Sequence, residues 1–220
     1  MAKFERIPTP AVRRLSLYLR QLERFRATDR RTVSSRELGD AVAVSDAQVR
    51  KDLAYFGQFG HPGIGYRIAE LIDRVRRILG TDKQSNVLIV GVGNLGRALA
   101  SYRGFAKQGF DLIAAFDDDA RKIGTRLTES IRVRPMDDLV KTVAGHQIRF
   151  GILCVPATSA QAAAEQMIAA GIRGILNFAP VTLQVDAGVA VSSVDLAVHL
   201  EQLSFQLGGG RYGAGKAADV

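Results

Sequence analysis

The chain has 220 residues, 47% of them hydrophobic, which is enough for two small globular domains. Its single cysteine, Cys154, rules out an intrachain disulfide, and no apolar run reaches the roughly 20 residues that span a bilayer. Because the first residues also lack a signal-peptide core, we expect a cytoplasmic protein without membrane segments. The net charge is +8, and residues 1–80 account for +7 of it, with 16 Lys and Arg against nine Asp and Glu. This basic segment predicts a polyanionic partner, although a surface that only aids solubility would have the same composition.

Helical periodicity dominates the first third of the chain. An apolar face recurs at helical spacing over residues 10–26 and predicts a first helix. Ser-x-x-Glu at 34–37 and Ser-x-x-Gln at 45–48 have the spacing of a capping box, so each predicts the start of a further helix. The stretch "FGQFGHPGIGY" at 56–66 predicts a short hairpin, and a linking helix follows at 67–79. Three helices and a hairpin are typical of a winged helix-turn-helix domain.

The third of these helices, in "SDAQVRKDLAYFG", has the pattern of a DNA-recognition helix. Val49 and Leu53 are four residues apart and face the core. Gln48, Arg50 and Lys51 therefore project elsewhere from the first turns, the part of such a helix that reaches base edges. Arg can bond guanine through two hydrogen bonds, and Gln can do the same with adenine. The candidate DNA-binding residues are Ser45, Gln48, Arg50, Lys51, Phe56 and Tyr66. A solvated helix face would show a similar pattern, so the motif leaves both interpretations open.

From residue 86 onward the pattern changes to alternating strands and helices. Predicted buried strands lie at 87–90, 112–116, 148–155 and 174–178. A helix at 158–171 separates the last two, and a C-terminal helix is predicted at 192–207. This alternation predicts an α/β fold with a Rossmann-like parallel sheet and right-handed crossovers.

The elements together predict four segments. We expect a winged-helix DNA-binding domain with its linking helix at 1–80, a Rossmann-like domain at 81–193, a C-terminal helix at 194–207 and a disordered tail at 208–220. The glycine-rich composition of the last segment is the reason for expecting disorder there.

A dinucleotide-binding loop is predicted at 91–96, where "GVGNLG" follows an apolar strand and opens a helix. Gly91 permits the tight turn, Gly93 lets a pyrophosphate approach the backbone, and Gly96 lets the helix pack near the sheet. Asp117 ends the second strand, 21 residues after Gly96. A carboxylate there bonds the ribose hydroxyls and repels a 2′-phosphate, which favours NADH and NAD+ over the phosphorylated cofactor. The candidate residues of this motif are Gly91, Val92, Gly93, Asn94, Leu95, Gly96 and Asp117.

The same region lacks the groups that hydride transfer needs. None of the three histidines falls where a parallel sheet would present it to the pocket, and Tyr102 lacks a lysine four residues on. No His, Cys and Asp set has metal-ligand spacing, and Cys154 lies inside an apolar strand. We therefore expect no enzyme and no metal, but a nucleotide that is bound without turnover. Two alternatives stay open: an NAD-dependent oxidoreductase with a basic N-terminal extension, and a repressor that senses a coenzyme A ester, against which Asp117 argues.

The chain resembles the Rex family of redox-sensing transcriptional repressors of bacteria in six segments that keep the family's order: "QVRKDLAYFG", "GIGY", "GVGNLG", "GFDLIAAFDDD", "GILNFAP" and "VDLAVHLEQLSF". The resemblance covers residues 8–207. It implies a homodimer that binds a palindromic operator in double-stranded DNA, with one recognition helix per half-site. It also implies that NADH binding lowers DNA affinity, whereas NAD+ favours the DNA-bound form. The C-terminal helix, here 195–207, would be exchanged between protomers and lie between the partner's two domains.

Residue roles carry over from the resemblance at matching positions only. Arg50 and Lys51 resemble the DNA-contacting pair of the recognition helix. Tyr102 resembles a tyrosine near the nicotinamide that senses its redox state, and Arg20 and Asp195 resemble an inter-subunit pair that changes with the conformational state. Two loops after strands would line the cofactor site, which completes the candidate set with Tyr102, Pro156, Asn177, Phe178, Ala179 and Pro180.

Two positions depart from the family pattern. The hairpin carries His61-Pro62 where many relatives have a basic residue, which leaves a minor-groove contact of the wing open. Leu196 stands where some members have phenylalanine, so the packing on the nicotinamide can differ.

Overall fold

A computed structural model describes residues 7–57, 59, 60 and 65–208. The chain divides into two compact units, Met1–Gln84 and Ser85–Val220, close to the predicted boundary at residue 80. His61-Pro62 of the predicted wing and residues 209–220 of the predicted tail lie outside the described residues. No helix in the described part of the chain is long and apolar enough to cross a membrane.

The first unit contains, in its described part, four helices and a small antiparallel sheet. The elements are α1 (Thr9–Ala27), β1 (Thr32–Val33), α2 (Ser35–Asp40), α3 (Asp46–Ala54), β2 (Tyr66–Arg67) and α4 (Ile68–Leu79). β1 pairs with β2, so the strand that closes the predicted wing joins the segment just before α2. One apolar core holds the unit together, built from the inward faces of α1 and α4 with Leu38, Val49 and Leu53. Burying side chains of this size is the main stabilising contribution to such a unit.

Local capping sets where α2 and α3 begin. The Ser34 hydroxyl accepts a hydrogen bond from the Glu37 N–H at 3.1 Å, and the Glu37 carboxylate accepts one from the Ser34 N–H at 2.8 Å, a complete capping box. At α3 the Ser45 hydroxyl accepts a hydrogen bond from the Gln48 N–H at 3.1 Å. Both helix starts predicted from the serine spacing are therefore confirmed, and Ser45 uses its side chain as the N-cap.

The second unit is built on a six-stranded parallel sheet in the order β5-β4-β3-β6-β7-β8. The strands are β3 (Ser85–Val90), β4 (Phe110–Phe116), β5 (Val133–Arg134), β6 (Phe150–Leu153), β7 (Gly174–Asn177) and β8 (Ala190–Ser193). The helices are α5 (Asn94–Ala100), α6 (Gly104–Lys107), α7 (Leu139–His146), α8 (Ala157–Ala170) and α9 (Leu196–Gly208), with a 3-10 turn at Met136–Asp138. The predicted start of the C-terminal helix at residue 192 is wrong, because 192 and 193 belong to edge strand β8 and pair with β7.

The central strand β3 separates two apolar layers. Leu88 and Val90 point into the layer that α7 and α8 cover, whereas Val87 and Ile89 point into the layer that α5 and α6 cover. This alternation is what a parallel strand buried on both faces requires. The strand order reverses between β3 and β6, so their carboxyl ends form the crevice where open α/β sheets bind ligands.

Candidate functional sites

A cleft of about 700 Å³ lies at the carboxyl ends of β3, β4 and β6. Six of the residues predicted to bind the cofactor line it: Gly91, Gly93, Asn94, Leu95, Asp117 and Pro156. Asp118, Asp119, Lys122 and Ser159 add charged and polar groups to the same walls. Most residues of the predicted dinucleotide-binding motif thus line the crevice between the carboxyl ends of β3 and β6.

The three glycines of the loop have different steric reasons to be glycine. Gly91 has a φ of +95°, and a Cβ there would collide with the carbonyl oxygen of Cys154. A Cβ on Gly96 would collide with the carbonyl oxygen of Gly91, so this glycine lets α5 pack against the loop. At Gly93, by contrast, no described atom lies within 4 Å of such a Cβ. The backbone of Gly93 therefore faces open space, as close approach by a ligand requires.

The start of α5 suits a phosphate group. Gly93 is its N-cap, and no side chain caps the helix. The N–H groups of the first turn consequently keep the partial positive charge of a helix N-terminus. A pyrophosphate above Gly93 would meet these donors directly.

Asp117 is almost fully buried, with 4% of its surface exposed, and it supports the glycine loop. One carboxylate oxygen accepts hydrogen bonds from the Val92 N–H at 2.7 Å and the Lys122 ammonium at 2.9 Å, and the other accepts one from the Asp119 N–H at 3.0 Å. Burial raises the pKa of Asp117, but these hydrogen bonds outweigh it and hold the pKa below its usual value of 3.8. The group is an anion at neutral pH, and a carboxylate with about four acceptor positions keeps room for one ribose hydroxyl.

Sequence reasoning missed Lys122. It lies five residues after Asp117, lines the cleft and is one-third exposed, so its ammonium partly neutralises the carboxylates there. Nothing in the spacing of this exposed turn distinguishes Lys122 from Arg121, which pairs with Asp119 instead. Only the fold shows which cation faces Asp117.

The groups of the cleft that could transfer a proton are few. Among the described residues no histidine lines it, and burial raises the pKa of the Cys154 thiol to about 12. The thiol therefore stays protonated at neutral pH. No group of three or more His, Cys, Asp or Glu residues with metal-binding geometry occurs in the described part.

The recognition helix α3 presents two cations to solvent. Lys51 is exposed, and so is Arg50, whose guanidinium donates to Asp46 at 2.6 Å and to the Ser35 hydroxyl at 3.0 Å. Gln48 is half-buried, and its amide nitrogen donates to Asp52 at 2.7 Å. Arg50 and Lys51 are thus placed for contact with a polyanion, whereas part of the Gln48 amide is already engaged.

Phe56 and Tyr66 have a different setting. Tyr66 is buried, with 8% of its surface exposed, and Phe56 packs partly buried against the same core. A packing role accounts for both rings without a DNA contact. Their predicted part in DNA binding stays a prediction.

Asp52 connects α3 to α1 from inside the unit. Its carboxylate is fully buried and accepts hydrogen bonds from Arg14 at 2.5 and 2.7 Å, from the Tyr18 hydroxyl at 2.8 Å and from Gln48. Burial raises the pKa of Asp52, but these hydrogen bonds, led by those of Arg14, hold it below 3.8. The result is a fully satisfied buried anion that fixes the recognition helix against α1.

Comparison with known proteins found family models for both parts of the chain and closely similar curated relatives. Two family models match, "CoA binding domain" over residues 82–181 and "Putative DNA-binding protein N-terminus" over residues 6–54. The redox-sensing transcriptional repressor Rex of Carboxydothermus hydrogenoformans is 46% identical over 202 residues, which cover 92% of this chain and 97% of that protein. The corresponding repressor of Pelotomaculum thermopropionicum is 45% identical over 92% of this chain and 94% of its own length. The chain belongs to the Rex family.

Solved structures of a Rex-family repressor, RSP, superpose on this chain. RSP in complex with NAD+ and operator DNA is 38% identical, with a TM-score of 0.88 over 93% of this chain and 94% of RSP. RSP in complex with NADH is 36% identical, with a TM-score of 0.82 over 92% of this chain and 95% of RSP. The Rex relatives are repressors and match over nearly their whole length, so the alternatives of an oxidoreductase and of a coenzyme A sensor are not supported.

The remaining cofactor candidates of this Rex-family chain do not line the described cleft. Tyr102 is 58% exposed and meets Phe105 edge-on, with ring centroids 5.1 Å apart. Asn177 is fully buried, and its amide bonds the backbone of Ala179 and of Val181, which fixes the turn after β7. Val92 is buried in the apolar core, and Gly96 lets α5 pack against the glycine loop. The roles of Tyr102 and of the loop 177–180 at the cofactor stay predictions.

Arg20 and Asp195 belong to different units of the Rex-family chain. Arg20 is exposed on α1. Asp195 accepts hydrogen bonds from the Ala197 and Val198 N–H groups at 2.9 and 3.4 Å, so it caps α9. Their predicted pairing between subunits stays a prediction.

Proposed function

We infer that this chain is a cytoplasmic, DNA-binding transcriptional repressor that senses the NADH/NAD+ ratio and leaves a palindromic operator when its cleft holds NADH. The observation that carries the inference is the presence, in one chain, of a dinucleotide cleft and a cationic recognition helix, both within a match to Rex repressors over 92% of the chain. In the RSP structures the same fold is found with NAD+ and operator DNA, and with NADH.

The residues of the cleft fit an NAD(H) molecule. Gly93 leaves room for the pyrophosphate, the first turn of α5 offers donors to it, and Asp117 keeps an acceptor for the adenosine ribose. The exposed Asp118 lies at the same end of the cleft and adds to the repulsion of a 2′-phosphate. Lys122 opposes that repulsion, so the preference for the unphosphorylated cofactor rests on three carboxylates against one cleft-lining lysine.

Discrimination of the redox state rests on charge. The reduced nicotinamide ring is neutral, whereas the oxidised ring is a cation. A site that is partly apolar favours the neutral ring because burying an unpaired charge is costly. We assign the nicotinamide end to Tyr102 and to the turn 177–180, whose backbone Asn177 holds in one conformation.

A homodimer is supported by apolar surface that the single chain leaves open. The side chains of α9 that are exposed by 42% to 90% are Leu196, Val198, Leu200, Leu203, Phe205 and Leu207. The sheet of the same unit carries an apolar hollow of about 350 Å³ lined by Phe105, Phe110, Phe150, Ile152 and Leu176. Soluble proteins rarely leave so many large apolar side chains of one helix exposed, and exchange of α9 between protomers would cover them.

The coupling between the two sites follows from this dimer. If NADH fits only one arrangement of the protomers, its binding shifts the population to that arrangement. The two recognition helices must lie one helical repeat of DNA apart, about 34–36 Å, to enter both half-sites. A change in their spacing therefore lowers the affinity for DNA.

Fluorescence anisotropy on a labelled palindromic operator, selected from genomic fragments by the protein itself, tests the function. NADH should release the operator at concentrations where NAD+ and NADPH do not. Arg50→Ala should abolish operator binding yet leave the affinity for NADH, measured by calorimetry, within about twofold, because Arg50 lies outside the nucleotide-binding unit. Full occupancy by NADH with no loss of operator affinity would refute the function, and equal loss of both affinities in Arg50→Ala would refute the role of Arg50.

A further inference from the structure

The guanidinium of Arg50 is held by one of its three nitrogens. Nη1 donates to the Asp46 carboxylate at 2.6 Å and to the Ser35 hydroxyl at 3.0 Å. A guanidinium has five N–H donors, two on each Nη and one on Nε. The two bonds therefore use both hydrogens of Nη1, and within the described residues no acceptor meets Nε or Nη2.

The nitrogens left over form a recognition edge. Nε–H and one Nη2–H point in parallel from the planar group, and this fork matches the O6 and N7 acceptors of guanine in the major groove. Arg50 is exposed and Asp46, which holds it, is partly exposed, with 55% and 39% of their side-chain surfaces accessible. The fork can thus reach a ligand outside the protein without first breaking the bonds of Nη1.

We propose that Asp46, assisted by Ser35, is a positioning residue that holds Arg50 through Nη1 and presents its Nε–Nη2 edge to a guanine of the operator. The inference rests on the proposed function, since it concerns how the repressor reads its operator. Asp46 lies in the first turn of α3 and Ser35 in the first turn of α2. The hydrogen bonds of Arg50 to these two residues, called the Arg50 clamp below, therefore join both helices of the helix-turn-helix.

The negative charge of Asp46 indicates that the Arg50 clamp increases discrimination between operator and other DNA, rather than the affinity for DNA in general. A carboxylate at the DNA-facing end of α3 repels phosphates of any sequence, and it weakens every complex to a similar extent. Holding Arg50 in place reduces the side-chain freedom lost when the correct base is bound, and that gain applies only where a guanine is present. The hydrogen bond from Arg50 lowers the pKa of Asp46, so the carboxylate is charged at neutral pH.

Asp46→Asn separates these two effects. Removing the charge should strengthen binding to a random duplex. At the same time the ratio of operator affinity to random-duplex affinity should fall on the order of tenfold, within the range that one bidentate base contact supplies. Ser35→Ala leaves the ion pair intact and should reduce the ratio less. Asp73→Asn is the matched control, because it removes the same charge from an exposed position on α4 and should leave the ratio unchanged.

A base analogue tests the contact itself. Replacing the contacted guanine by 7-deazaguanine removes the N7 acceptor, so it should weaken the wild type clearly and Arg50→Ala not at all. In Asp46→Asn the penalty should be smaller than in the wild type. A discrimination ratio that stays constant or rises in Asp46→Asn, or a full deaza penalty in that variant, would overturn the proposal. Failure of the wild type to release its operator, although calorimetry shows that NADH is bound, would instead overturn the proposed function. That outcome is distinct from a failure of the Asp46 proposal, which concerns only the choice between DNA sequences.

Discussion

The buried carboxylate of Asp52 gives the sharpest test of how the recognition helix is held. The substitution Asp52→Asn removes the buried anionic partner of Arg14. Removing one half of a buried ion pair costs about 3–5 kcal/mol of stability. The Arg14 side chain is 24% exposed and can regain some water, and asparagine keeps one acceptor oxygen. We therefore expect the low end of that range, a loss of about 3 kcal/mol in the free energy of unfolding.

Urea unfolding of the full chain, followed by helical circular dichroism, measures this loss, and hydrogen exchange assigns it. Amides of α1 and α3 should lose protection, whereas those of β3 to β8 should keep it. The exposed Asp73→Asn should change the free energy by no more than about 0.5 kcal/mol. A loss below about 1 kcal/mol in Asp52→Asn, or a loss of protection confined to the sheet, would show that the carboxylate does not hold α3 against α1.

We also expect the free energy of unfolding of the wild type and of Asp52→Asn to depend differently on pH. The folded pKa of Asp52 lies below its unfolded value near 3.8, so the carboxylate stabilises the fold above that pH. This contribution is lost as the pH falls through the folded pKa. Between about pH 5 and 2 the wild type should therefore lose more unfolding free energy than Asp52→Asn, since the other carboxylates are common to both proteins. Parallel acid profiles of the two proteins would contradict the assignment.

Three further predictions concern the cleft. Asp117→Ala should weaken NADH binding and relax discrimination against NADPH in calorimetry, and unchanged selectivity would mean that another group reads the ribose. Tyr102→Phe should reduce the release of operator by NADH in anisotropy titrations at unchanged thermal stability, and an unaltered response would leave Tyr102 a packing role beside Phe105. Saturating operator should weaken NADH binding by the same factor by which NADH weakens operator binding, about 5- to 150-fold for a coupling of 1–3 kcal/mol, and unequal factors would show that release is not an equilibrium coupling.

Local signals predicted the parts of the fold that local physics decides. The serine caps of α2 and α3 and the glycine loop before α5 were predicted because each depends on residues within a few positions of one another. The sequence does not predict edge strand β8, because the strand has only four residues, most of them exposed. It therefore lacks the apolar run of an inner strand. Ser192 and Ser193 are residues of the type that caps helices, so their sequence predicts a helix start instead of a strand.

The links that organise the sites are long-range and leave little trace in the sequence. Arg14 and Asp52 are separated by 38 residues, and no pattern in α1 distinguishes Arg14 from Arg13 or Arg20. Lys122 reaches Asp117 only because of the turn after β4. The bond between Asp46 and Arg50 is an exception, since i and i+4 on one helix are neighbours, and its spacing alone would have indicated it.

The Asp52 network restricts how the recognition helix can respond to the cofactor. A shift of α3 relative to α1 would break the hydrogen bonds from Arg14 and Tyr18 and leave the buried Asp52 anion with only Gln48, which lies on α3 itself, as a partner among the described residues. Removing the charged partner of a buried anion costs more than a coupling of 1–3 kcal/mol can supply. The first unit must therefore move as one body when the repressor switches. In the proposed mechanism, release then depends on the distance between the two recognition helices of the dimer, because DNA accepts only spacings near one helical repeat. Arg20 lies on α1, so any displacement of α1 carries it together with α3, and its part in transmitting the change stays a prediction.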